Sequence, residues 1–178
     1  MFLIYNKFVA PPPEVRLRLD HEATVDTFID NCEYGQALNS VNEALLLYPD
    51  YPQFWIKKGI LEKIQGDQSS SADAFNQAST LIPREEFLLL RSNAYILFGL
   101  NEELLADASE IVQNNPQSAE GYFFQAFAFE NLNRVREARD AYEIAFSLAE
   151  DQNKSQLAAT IKVKQALFLQ MFPLPAKE

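Results

Sequence analysis

Cysteine and histidine are almost absent from this chain: Cys32 and His21 are the single representatives among 178 residues. One cysteine excludes an intramolecular disulfide, and a reducing compartment, the cytoplasm, is the simplest setting. One Cys and one His cannot compose a zinc set, and any Cys–His or Ser–His pair would have to use His21. Cys32 follows His21 by eleven residues. On a continuous helix that is about 16 Å at ~1.5 Å per residue, too far for a catalytic pair. Glycine is scarce, with five in all, and alternating β-branched runs are few, which argues against an all-β fold. There is no Walker loop and no dinucleotide-type glycine pattern. These shortages together predict no enzyme, no cofactor and no metal site.

Positive charge is also in deficit. Lys and Arg total 15 against 25 Asp and Glu, for a formal net charge of −10. Such a surface disfavours nucleic acid and an anionic membrane, and acts mainly to keep the chain dissolved. Long apolar runs are missing too. The N-terminal run Met1-Phe2-Leu3-Ile4-Tyr5 is broken by Asn6-Lys7, whereas a span needs roughly 20 apolar residues. Its charge order is not that of a signal peptide. No integral membrane segment and no export are expected.

The chain does hold a core's worth of apolar residues, 48% of the total, and a regular punctuation. Pro49, Pro83 and Pro116 stand 34 and 33 residues apart, and a further step of 34 ends at Glu150. In the segment 119–152, Tyr122, Ala126, Phe129, Ala138, Tyr142 and Ala145 alternate bulky and small side chains. Two antiparallel helices approach closely only when small residues on one meet large ones on the other. Ser118 is placed to cap its first helix, with Glu120 in the first turn. The segment 52–84 repeats the design with Trp55, Gly59, Phe75, Ala78 and Pro83, turns at Gly66-Asp67, and offers Ser69 or Ser70 as the cap of its second helix. Segment 85–118 carries Leu88, Ser92, Tyr95 and Gly99, with Leu104 and Ala108 in reversed size order, which predicts altered packing there. Segment 18–51 is the most divergent; Phe28, Ala37, Val41 and Ala44 fit, and His21 takes the place of an aromatic.

A period of about 34 residues with two helices per unit resembles the tetratricopeptide repeat (TPR). The resemblance covers residues 18–152 and is sharpest in the second and fourth units. It implies an all-α, right-handed superhelix of four antiparallel helix pairs. Residues 153–178 add a capping helix from Lys154 to Phe172, with Leu157, Ile161, Ala166, Leu167 and Leu169 at helical spacing, and a tail. Residues 1–17 are expected to be an apolar, proline-rich arm, because Pro11-Pro12-Pro13 stops a helix from crossing.

The resemblance further implies a concave groove lined by the first helix of each unit. Carried over, the groove residues are Ile56, Ile60, Lys63 and Ile64 in the second unit. The third unit supplies Leu89, Asn93, Ile96 and Leu97; the fourth supplies Glu120, Phe123, Phe127, Glu130 and Asn131. Phe123 and Phe127 are expected to be partly exposed, with Tyr122, Ala126 and Phe129 buried between helices. Lys63, Asn93, Glu120 and Glu130 would orient the occupant. Some TPR proteins clamp carboxylates, but here Glu22 and Asp26 stand at the first unit's corresponding sites and would repel one. An apolar or amphipathic segment with some basic character suits the groove better.

The expected function is therefore a non-catalytic protein–protein interaction module, an adaptor or assembly chaperone holding a peptide or partner helix. A permanent structural subunit of a larger complex, or a small secretion-type chaperone, are the alternatives. The arm carries Phe2, Leu3, Ile4, Tyr5, Phe8 and Val9. It would fill its own groove, reach a second copy to form a homodimer, or be offered to a partner.

Overall fold

The computed structural model describes residues 12–173. Nine α-helices, and no strand, make up these residues: α1 Pro13–Asp30, α2 Tyr34–Leu47, α3 Pro52–Ile64, α4 Gln68–Leu81, α5 Arg84–Phe98, α6 Asn101–Asn114, α7 Ala119–Asn131, α8 Val135–Asp151 and α9 Ser155–Met171. The expected arm residues 1–11 lie outside the described part.

Local chemistry explains the punctuation. Pro13 and Pro52 occupy the first helical position of α1 and α3, where a missing N–H costs nothing and the fixed φ suits a helix. Within each pair the turn rests on one left-handed residue: Cys32, Gly66, Gly99 and Asn133 have φ of 59°, 90°, 68° and 60°. Glycine takes this conformation freely and asparagine tolerates it. Between pairs the chain instead runs through Pro49, Pro83 and Pro116, and Pro83 itself precedes α5 as its cap. Asn153, with φ 57°, turns α8 into α9 in the manner used inside a pair.

Two details differ from the sequence reading. α1 begins at Pro13, so residues 13–17, expected to belong to the arm, are its first turn. The cap of α4 is Asp67, whose side chain accepts from the Ser70 backbone N–H at 3.0 Å and from the Ser70 hydroxyl at 2.8 Å. Asp67 wins because a carboxylate is the stronger acceptor at a helix start. Ser71, already helical, is buried. The expected cap at Ser118 is present and accepts from the Gly121 N–H at 3.1 Å.

Sequential helices pack as antiparallel hairpins, and odd-numbered helices also touch one another: α3 and α1 with α5, α5 with α7, and α7 with α9. No two even-numbered helices pack closely. The fold is an all-α solenoid whose odd helices lie on its inner side. Close approach needs small residues, and Gly59 is the sharpest case. A Cβ there would stand 2.8 Å from two ring carbons of Phe75, so α3 and α4 could not meet as they do. Ala126 and Ala138 serve the same end between α7 and α8 and are fully buried.

The altered packing expected in the third unit takes a definite form. α5 meets α4 mainly through the Phe75 ring, 6.4 Å from that of Phe87, and settles into the hollow between α1 and α3. The Phe98 ring at its end lies 6.2 Å from Tyr34, at the start of α2. Gln65, just after α3, donates to the Tyr34 carbonyl. The ends of α3 and α5 thus gather at the same turn, and the three odd helices run side by side.

Candidate functional site

The hollow between α1, α3 and α5 leaves a cleft of about 350 Å³. α1 supplies Glu22 and Asp26, one turn apart; α3 supplies Gln53, Ile56 and Lys57; α5 supplies Leu90, Asn93, Ala94 and Leu97. The lining is part apolar and part polar. Lys57 is only 6% exposed. An ammonium in such a place must be paired, and it donates to Asp26 Oδ1 at 2.6 Å and to Glu22 Oε1 at 3.3 Å. Glu22 Oε2 accepts from the Tyr51 hydroxyl at 3.0 Å. Burial, reinforced by the Glu22 charge, pushes the Tyr51 phenol up to about 12, so it remains a donor. Arg18, one turn before Glu22, stacks on the Tyr51 ring 4.4 Å from its centroid.

α7 and α9 form the other half of the inner side. Phe123 and Phe127 are half-buried, as expected. Phe127 lies beneath the Lys164 ammonium of α9, 4.9 Å from the ring centroid. Of the three residues expected between the helices, Ala126 is buried, whereas Tyr122 and Phe129 are only half-buried. Phe124, which the repeat pattern passed over, is buried at 4% exposure.

The other predicted groove residues divide by location. Ile56 and Ile60 are not an exposed stripe. They are 1% and 0% exposed, because α5 covers that face of α3. Ile64, one turn further, is 36% exposed. Leu89, Ile96 and Leu97 are half-buried against the core, and Asn93 and Asn131 are exposed.

All four polar residues expected to orient an occupant already have intramolecular partners. Lys63 pairs with Glu103 of α6 at 2.8 Å, and this contact holds the Glu103 carboxyl below its ordinary range. Glu120 accepts twice from Lys154, at 2.8 and 2.7 Å. Glu130 accepts from the Tyr142 hydroxyl, whose pKa is raised first by burial and then by that bond. Asn93 donates to the Leu89 carbonyl of its own helix at 3.0 Å, and Asn131 does the same to Phe127 at 2.8 Å.

Lys57, the centre of the cleft, was missed by the sequence reading. Its signal lay in Glu22 and Asp26, expected only to repel a carboxylate: two acids one turn apart call for a cation between them, and Lys57 is that cation. Among the described residues, no three or more His, Cys, Asp or Glu side chains are grouped to hold a metal ion, and no helix is long and apolar enough to cross a membrane. His21 meets Tyr48 edge-on, with centroids 5.9 Å apart, while Cys32 is exposed in the turn after α1.

No protein-family model matches the chain, and no curated protein does. Among solved structures, it is similar to MamA residues 41 to the end from Desulfovibrio magneticus RS-1. The identity is 13%, over 93% of this chain and 100% of that one, with a TM-score of 0.42. A MamA structure designated MSR-1 C2 is 14% identical over 88% of this chain and 91% of its own, also at 0.42. A tetratricopeptide repeat protein from Parabacteroides merdae ATCC 43184 is 15% identical over 88% of this chain and 67% of its own, at 0.40.

Proposed function

We propose that this protein is a non-catalytic binding module that takes a peptide or helix of a protein partner along its odd-numbered helices. The observation that carries the reading is the aromatic pair on α7. Phe123 and Phe127, which the hairpin does not require, are half-exposed one turn apart, Phe127 beneath the Lys164 ammonium of α9. Apolar surface displayed in this way is what interaction faces use. At roughly 25 cal/mol per Å² its burial supplies affinity. In this reading the module serves as a cytoplasmic adaptor or assembly chaperone, and the apolar arm supplies a contact to a second copy.

The test is site-specific photocrosslinking in native cells. A benzoylphenylalanine in place of Phe127 is expected to capture a protein partner. The same group in place of Ile144, 42% exposed on α8, is expected to capture none. Equal capture from both positions would overturn the assignment.

A permanent-subunit reading has one observation in its favour. α9 is packed by α8 on one side, but Val163, Leu167 and Met171 remain 62%, 50% and 66% exposed along it. A partner present at constant stoichiometry on native purification, with contacts at α9, would favour that reading over sub-stoichiometric clients.

A further inference from the structure

We propose that the cleft between α1, α3 and α5 is a specificity pocket for a basic side chain, arginine above all, of the bound partner segment. This rests on the partner-binding reading above and names the chemistry of one part of the same inner face.

Acceptors outnumber donors in this cleft. Lys57 is the one cation in the lining, facing two carboxylates, and it spends its ammonium on Asp26 Oδ1 and Glu22 Oε1. Asp26 Oδ2 accepts no hydrogen bond among the described residues. Asn93 donates its Nδ2 to Leu89, leaving its Oδ1 without a donor. Gln53 Oε1 is buried with no partner at all. Of these three acceptors Gln53 Oε1 is the buried one, where lacking a donor is costly, so a ligand bringing several N–H groups and one positive charge gains where a neutral or anionic one does not. The Arg18 charge is close, but its guanidinium is stacked on Tyr51 and does not line the cleft.

Shape and polarity agree with that chemistry. Ile56, Leu90, Ala94 and Leu97 make an apolar wall on which the methylene stem of a long basic side chain can lie while its head reaches the acceptors. Guanidinium presents five donors in a planar fork, against three on an ammonium, which favours arginine over lysine here. Since Lys57 already neutralises one of the two carboxylates, an incoming cation leaves the lining neutral, whereas an incoming carboxylate leaves two unmatched negative charges.

The probe is the peptide amide acetyl-Leu-Arg-Leu-Leu, compared with the same peptide carrying citrulline, which keeps the shape and loses the charge. Binding to the full chain is followed by NMR, with the side-chain amide signals of Gln53 and Asn93 as reporters. The arginine peptide is expected to move both signals and to bind at least about 10-fold more tightly than the citrulline peptide. In Asp26→Asn that preference is expected to fall below about 3-fold. Because Asp26 also holds Lys57, Asn93→Leu, at an exposed position, is measured alongside and is expected to weaken the arginine peptide while leaving the fold intact.

Equal affinity for the two peptides, unmoved Gln53 and Asn93 signals, or no binding of either at about 10 mM would overturn the pocket. Shifts confined to α7 and α9, equal for both peptides, would sink the arginine assignment while leaving the partner-binding face standing. Failure of crosslinking from Phe127 despite a charge-selective cleft would do the reverse.

Discussion

Arg91 ties α5 to α6 and to the Phe75 ring of α4, and removing its partner is expected to be among the most damaging polar substitutions in the described residues. Its guanidinium donates twice to Asp107 of α6, at 2.7 Å each. It also stacks near Phe75, Phe87 and Tyr95, 5.0, 4.7 and 5.7 Å from the ring centroids. The side chains are 16% and 7% exposed, so the pair is largely withdrawn from water. Asp107→Asn keeps the shape but turns an amide N–H toward guanidinium donors and strands a buried cation. Breaking one side of such a pair costs about 3 kcal/mol. Arg91→Met strands the carboxylate instead and also forfeits the ring contacts, each worth about 0.5–1 kcal/mol. Replacing both with apolar residues, Arg91→Met with Asp107→Leu, removes the stranded charge and is expected to cost only about 1 kcal/mol. Urea unfolding followed by circular dichroism and by the fluorescence of Trp55 reads these differences. With a slope of about 2 kcal/mol per M, Asp107→Asn is expected to lower the midpoint by about 1.5 M. The reasoning fails if Asp107→Asn costs under about 1 kcal/mol, or if the double variant is no more stable than the weaker single one.

Ala126→Leu and Ala138→Leu, at fully buried positions between α7 and α8, are each expected to cost about 1–3 kcal/mol by overpacking. Unchanged melting temperatures would show that the hairpin register is wrong. Asp67→Ala is expected to lower the melting temperature and Ser69→Ala to leave it alone; the opposite order would return the cap of α4 to the serine run. Glu62 is 8% exposed, its Oε2 is buried without a partner, and Lys58 approaches only to 3.7 Å. Burial raises its carboxyl above the ordinary range. A raised acid binds its proton more tightly folded than unfolded, so stability falls as the pH rises through that range. Glu62→Gln is thus expected to stabilise by about 1 kcal/mol at neutral pH, the gain fading in chemical denaturation below about pH 4. A gain independent of pH would remove the carboxyl from the explanation.

Much of the architecture was legible because its causes are local and periodic. Three prolines end three hairpins, and the alternation of Tyr122, Ala126, Ala138 and Tyr142 encodes helix contact at short range. The same is true of Gly59 against Phe75. What escaped notice was decided by competition between similar local signals. Asp67 and Ser69 are both capping residues two positions apart, and the Asp67 carboxylate, the stronger acceptor, takes the Ser70 N–H. Cys32 adopts a left-handed φ of 59° where glycine or asparagine would be looked for, so nothing in its identity marked the turn between α1 and α2.

The inner face was harder to read, for a different reason. Assigning groove residues from a repeat pattern assumes that successive units stack at one fixed angle. Here the third unit breaks that regularity. α5, paired with an α6 whose Leu104 and Ala108 stand in reversed order and are wholly buried, meets α4 mainly through Phe75 and fills the hollow of the first two units. Ile56 and Ile60, spaced as an open stripe, become core, and Lys57, spaced as a surface lysine, becomes the buried partner of Glu22 and Asp26. The seating of α5 against α1 and α3 thus leaves a bounded cleft with charged walls in place of an open apolar groove. Farther along, α7 and α9 keep the regular arrangement, and there Phe123 and Phe127 are half-exposed as their spacing predicted. The inner side is consequently of two kinds: a selective pocket at α1, α3 and α5, and a broader apolar face at α7 and α9. A partner that uses both must place a basic side chain and an apolar stretch on the same strip of surface.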